Sequence, residues 1–169
     1  MITPAYVQRM ALYNRWQNRS LYGASDTLSD AQRREVLGAF FGSIHGTLNH
    51  LLWGDRTWMA RFAGWPRPAP KSIAESPDYY PAWDDLKHQR QETDEAIIAW
   101  AGGIAQSDLE GDLTWFSGAV GRDVSRPKSL LITHFFNHQT HHRGQVHCLL
   151  TQFGAKPEAT DLAFMPGLE

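Results

Sequence analysis

Apolar residues recur at helical spacing along most of this chain. Between Thr3 and about Gly23, Val7, Met10, Leu12, Tyr13 and Trp16 supply the apolar positions of a first helix. Thr3 is placed to cap it, and Pro4 suits its first turn. A second helical run extends from Ser29-Asp30 to Gly64-Trp65-Pro66, with Gly38 and Gly42 as points of interruption. Its apolar stripe is Phe40, Ile44, Leu48, Leu51, Trp58 and Phe62. Residues 64–78 carry four prolines and read as an extended connection, the kind of long loop that often contributes to function. A third helix fits Asp78 to about Trp100, closed by Gly102-Gly103. The strand-like runs around Leu113–Ser117 and Arg122–Ser125, joined through Gly118-Ala-Val-Gly121, predict a β-hairpin. Pro127 restarts the chain into a fourth helix that ends at Phe153-Gly154, and the tail from Lys156 reads as irregular. Four long helices and one small hairpin predict an all-α four-helix bundle, with residues 1–169 as a single domain.

The last helix carries the candidate chemistry. Five of the eight histidines fall between residues 134 and 147. His134, His138 and His142 repeat every four residues, so their rings share one helix face. Leu131, Phe135, Leu149 and Phe153 lie in the same sector. Neutral imidazoles aimed at a core call for a divalent metal, for which imidazole nitrogen is the usual ligand. His138 and His142 form an H-x3-H pair able to reach one cation. Gln139 stands where a zinc-protease helix needs its glutamate base, which rejects that reading. No Glu-x-x-His motif supports a di-iron carboxylate bundle.

A third ligand must come from another helix. His50 is the candidate, because Ser43, Gly46, Thr47, Gly54 and Thr57 on its own face are small and leave room for a cavity. Three nitrogens with open positions would make a catalytic arrangement rather than a closed structural one. His134 is read as a residue of the core or one supporting the ligands. His141, His147, His45 and His88 are read as ordinary. Cys148 is read as a small buried apolar residue. Gln145 returns to the ligand face, where its amide would orient a ligand or bound water. Gly144, costly in mid-helix, suggests close approach of another helix. Asp55 lies off the His50 face and reads as a structural partner for an arginine.

Charge and composition narrow the function classes. Lys+Arg 16 against Asp+Glu 18 gives a net charge of −2, and no run of five basic residues exists to track phosphates. Nucleic acid is therefore not an expected partner. No apolar leader or membrane-length stretch is evident, so a cytoplasmic protein without membrane contact is expected. One cysteine excludes an internal disulfide framework. Seven tryptophans, eight phenylalanines and five tyrosines exceed what one small core need bury, which suggests a homodimer. Tyr6, Tyr13 and Trp16, and Tyr79, Tyr80 and Trp83, are the candidate interface rings.

Two segments carry a family resemblance. Asn49-His50-Leu-Leu-Trp-Gly-Asp55-Arg-Thr-Trp58 and His134-Phe-Phe-Asn-His138-Gln-Thr-His141-His142-Arg-Gly-Gln145 resemble the DinB/YfiT family of metal-dependent proteins. The hairpin followed by Pro127 fits as well, and the resemblance covers nearly the whole chain. It implies a four-helix bundle in up-down-down-up order. It implies a divalent metal held by His50, His138 and His142, and their imidazole nitrogens suit zinc, nickel or iron. It also implies homodimers, and in some relatives transferases or isomerases that use low-molecular-weight thiols. The expected function is thus a metal-dependent, thiol-using transferase, isomerase or hydrolase acting on a small electrophile. The alternative is a non-catalytic metal- or ligand-binding protein of a stress response. No serine or cysteine nucleophile stands beside the triad, so the catalytic groups are not named.

Overall fold

A computed structural model describes residues 2–118 and 120–167. Helix α1 spans Pro4–Asp26, α2 Asp30–Arg34, α3 Ile44–Ala63, α4 Trp83–Gly102 and α5 Lys128–Gln152. Strands β1 (Asp112–Ser117) and β2 (Arg122–Pro127) form an antiparallel hairpin in which Trp115 faces Val124. The chain is therefore mostly helical, with a small two-stranded hairpin before the last helix. Ala119, in the predicted turn, lies outside the described residues. No helix among the described residues is long and apolar enough to cross a membrane.

Local signals explain most boundaries. The Thr3 hydroxyl accepts the Tyr6 N–H at 3.2 Å, capping α1, which then runs through Gly23 to Asp26. Ser29 and Gln32 form a capping box at α2. The long second run predicted from Ser29 is divided. Gly38 (φ 80°) and Gly42 (φ 77°) adopt left-handed conformations that close a tight turn, and the helix resumes only after Ser43 caps α3. Phe40, placed in the apolar stripe by its spacing, sits instead in that turn and is 79% exposed. Its neighbour Phe41 turns inward. The predicted start of the third helix at Asp78 also moves. Ser76–Asp78 form one 3-10 turn, Pro81 breaks the path, and α4 begins at Trp83. The fourth helix ends as expected, with Gly154 at φ 76° just beyond it.

Helix α1 packs on α4 and α5, and α3 packs on α5 and α4. The core is divided into two apolar clusters. One gathers Leu21, Leu48, Leu52, Leu86, Val146 and Leu150. The other gathers Val7, Ala11, Met59, Ile97, Ile132 and Phe136. Between them, at mid-height of every long helix, lies a buried polar belt: Asn14 and Asn18 on α1, Asp55 on α3, Arg90 and Asp94 on α4, Gln139 and Arg143 on α5. Arg90 pairs with Asp55 at 2.5 Å and Asp94 at 2.8 Å. Gln139 donates to the other Asp55 oxygen at 2.6 Å, Asn18 to Asp94 at 2.9 Å, and Arg143 to Asn14 at 2.7 Å. Two carboxylates and two guanidiniums thus balance in charge, and mutual pairing offsets part of the desolvation that burial imposes.

Candidate metal centre

The three histidines selected from the sequence meet at one point. Helix α3 supplies His50, which is 3% exposed; α5 supplies His138 and His142, stacked one turn apart. One ring nitrogen from each lies within 4.8 Å of the others, and the group could hold a metal ion. His50 Nε2 is 3.1 Å from His138 Nε2. Ring centroids are 4.5 Å apart for His138 and His142, and 4.8 Å for His50 and His142.

Hydrogen bonds to the opposite nitrogens fix the tautomers. The Ser76 hydroxyl donates to the Ile73 carbonyl at 2.6 Å. Its oxygen therefore accepts from His50, and the 2.8 Å contact is Nδ1–H to Oγ. His142 Nδ1–H donates to the Gln145 carbonyl oxygen at 2.8 Å, the orienting role expected for that amide. Both residues consequently present bare Nε2 lone pairs. Phe41 lies flat on the His50 ring, 3.7 Å between centroids at 19°, and holds it in plane. Gly54 makes room for His138: a Cβ at residue 54 would lie 3.1 Å from His138 Cε1.

The electrostatics favour neutral rings. Burial, reinforced by the neighbouring imidazoles, pushes both His50 and His138 down to about 3. Burial also lowers His142, opposed by its bond to Gln145. Uncharged imidazole is the form a cation requires. The spacing suits one too. Two nitrogens at about 2.0–2.1 Å from a tetrahedral ion lie about 3.3 Å apart, close to the 3.1 Å between His50 and His138. Without a cation, the same gap is bridged by a single proton on His138 Nε2 donated to His50 Nε2.

The sequence has a counterpart among known families. Residues 1–168 match the DinB family. The chain belongs to the DinB family. No curated protein and no solved structure matches it.

In this DinB-family chain the remaining candidates distribute as follows. His134 shares the helix face but stays outside the ligand group. Its ring is exposed, packs edge-on against Trp58 at 5.3 Å, and lies 5.8 Å from His138. His141 is exposed, and His88 is exposed against Glu92 at 3.2 Å. His45 is buried, with Nε2 3.1 Å from the Tyr80 carbonyl. Asp55 does pair with an arginine. Two expectations fail. Cys148 is exposed, not buried, because it lies on the solvent side of α5 between the core-facing Val146 and Leu149. Gly144 is also exposed, and a Cβ there would meet nothing within 4 Å, so no helix approaches it. The glycine that matters for packing against a ligand is Gly54. Ser76 and Phe41 escape sequence reasoning, since both reach His50 from loops. The only hint was the long proline-rich connection containing Ser76.

Proposed function

We propose that this chain is a metal-dependent enzyme. His50, His138 and His142 hold a divalent cation, zinc, nickel or iron, through three nitrogens. The reaction is a transfer, isomerisation or hydrolysis of a small electrophile, with a low-molecular-weight thiol as cosubstrate. The observation that carries this reading is the convergence of three histidines, two of which, His50 and His142, have their non-ligating nitrogens already tied to fixed acceptors at Ser76 and Gln145. When bound, the cation would act as a Lewis acid or lower the pKa of a coordinated water or thiol. The chain's own residues prepare for this. Ser76, Gln145 and Phe41 orient the rings, and burial keeps them unprotonated.

A non-catalytic closed site would need a fourth protein ligand. His134, on the same helix face, is the candidate for that role, and its ring packs on Trp58 instead, which supports an open coordination position. We read the four long helices as a bundle in up-down-down-up order, forming one domain over residues 1–169. We place the protein in the cytoplasm as a homodimer. Of the aromatic rings first considered for an interface, Tyr13 is buried, Trp83 stacks on the buried Tyr22 at 5.3 Å, and Tyr6, Trp16, Tyr79 and Tyr80 are half-buried. Phe40, Phe116 and Phe164 are the exposed rings that remain.

The test is elemental analysis of protein purified without an affinity tag, then thiol-transfer assays on metal-loaded protein. Stoichiometric metal with thiol-dependent turnover is expected. His138→Ala and His142→Ala should each abolish metal binding while leaving helical circular dichroism largely intact. Metal retention by both variants would overturn the triad, and bound metal without turnover on any thiol and electrophile pair would favour the non-catalytic alternative.

A further inference from the structure

A cavity lies away from the triad, at the other end of the site-bearing helices. It occupies about 430 Å³ between the ends of α3 and α4, the start of β1 and the start of α5. It includes Arg61, which is seven residues beyond Gly54, about 10 Å along α3. Its walls are apolar: Phe62, Trp100, Ile104, Leu113 and Ile132. Phe62 and Trp100 stack nearly parallel, 6.0 Å between centroids and 11° between ring planes, and both line the cavity. The volume falls within the range of small-molecule pockets, about 300–1,000 Å³.

The polar side chains around it are Arg61, Lys128 and Asp108. Asp108 is occupied locally, its carboxylate accepting the Ala105 N–H at 2.8 Å. Arg61 and Lys128 enter no ion pair and no side-chain hydrogen bond among the described residues. For Arg61 that is unusual among the arginines withdrawn from solvent. The buried Arg33, Arg90 and Arg143 all donate to carboxylate, amide or carbonyl oxygens. Arg61 is half-buried, and its guanidinium only lies over Trp58 at 4.4 Å and Trp115 at 5.5 Å. Removing a guanidinium from water without an acceptor is costly. Burial, with Arg67 nearby, accordingly lowers the Arg61 pKa.

We propose that this cavity binds a small carboxylic acid with an aromatic or branched aliphatic body. The body lies against the apolar lining of Phe62, Trp100, Leu113 and Ile132, and the carboxylate is held by Arg61 and Lys128. An arginine fork matches a carboxylate through two parallel hydrogen bonds, and a lysine adds a point charge. The apolar walls select against a fully hydrated anion such as free phosphate. The site does not depend on the metal reading, because none of its lining residues belongs to the histidine triad.

The probe is 4-fluorophenylacetate, followed by fluorine NMR on the full chain kept in chelator. Saturable binding at millimolar concentration or below is expected, with no saturation by 4-fluorobenzylamine. Arg61→Gln should weaken binding by about tenfold or more, as loss of a charge-assisted pair implies. Ala99→Trp, at an exposed helical position on the cavity rim, should block binding without touching either cation. His50→Ala should leave the affinity unchanged. The proposal is overturned if the carboxylate does not bind, if the amine or 4-fluorophenyl phosphate binds more tightly, or if a folded Arg61→Gln or Ala99→Trp protein keeps wild-type affinity. Loss of binding in His50→Ala would also overturn it, by moving the ligand to the triad.

Discussion

Replacing Gly54 with alanine would add one methyl group between α3 and the His138 ring. The new Cβ would lie 3.1 Å from Cε1, where ordinary contact starts at 3.4 Å, so the ring must withdraw by a few tenths of an ångström. It cannot do so freely. His138 Nε2 is set 3.1 Å from His50 Nε2, and His50 is pinned by Ser76 below and Phe41 above. Two effects on stability oppose each other. Alanine in a helix interior is worth about 1 kcal/mol over glycine, while the steric contact takes back an amount of similar size. Global stability should therefore change little. Metal affinity has no such compensation, because a ligand displaced from its bonding position loses directed bonds. Loss of a ligand-orienting contact typically costs about 10–100-fold in affinity.

The assay is a competition titration of divalent metal against a chromophoric chelator, paired with thermal unfolding of the metal-free protein. Gly54→Ala should unfold near the wild-type temperature and bind metal about 10–100-fold more weakly. Wild-type metal affinity in a normally folded variant would refute the claim that Gly54 exists to seat His138. A large loss of apo stability would refute the energetic balance just drawn.

Other perturbations report on different parts of the same structure. Gly144→Ala places a methyl group in open space on an exposed helical position, so it should raise unfolding free energy by up to about 1 kcal/mol and leave metal affinity alone; destabilisation by urea titration would show an unseen contact. Asp55→Asn should cost about 3–5 kcal/mol, because it leaves the buried Arg90 short of a carboxylate; a chemical-denaturation change under 1 kcal/mol would mean the belt is not a stabilising unit. Metal-free stability should depend on pH through His50 and His138, whose ordinary value of 6.5 falls to about 3 in the fold. Between those values the unfolded chain binds the extra protons, so stability rises with pH by at most about 1.4 kcal/mol per pH unit for each residue. The slope in chelator should shrink in His138→Phe, and an unchanged slope would show that the ring is not held neutral.

Much of the site was legible because it rests on helical periodicity. The His138–His142 pair needs only the geometry of one helix, and the small residues around His50 mark a face without bulk. What escaped has a physical reason in each case. Phe40 falls on the helical stripe by arithmetic, but Gly38 and Gly42 adopt positive φ and swing it to solvent while its neighbour Phe41 turns toward His50. No local signal decides which of two adjacent phenylalanines goes inward. Ser76 is invisible for a similar reason: its role comes from a loop folding back over α3, a contact 26 residues long in sequence. Gly144 and Gly54 differ only in what faces them. The polar belt was half-read. Asp55 implied an arginine, but that Arg90, four residues from Asp94 on α4, is that arginine depends on α4 lying beside α3.

The belt explains how weak local rules yield a well-placed triad. His138 and Gln139 are adjacent on α5, as Gly54 and Asp55 are on α3. His138 rests on Gly54, and Gln139 donates to Asp55 at 2.6 Å. Two successive contacts between the same helices fix both their separation and their axial register. A slide of one residue, about 1.5 Å along the axis, would leave Asp55 Oδ1 and the Gln139 amide N–H buried without each other, at about 1–3 kcal/mol. Apolar contacts between leucines tolerate such a slide far better, since they have no direction. A layer of charge and amide that costs desolvation is thus placed at the one height where register matters. It holds the helices so that His50, one turn up α3, faces His138 and His142 with its nitrogen already aimed.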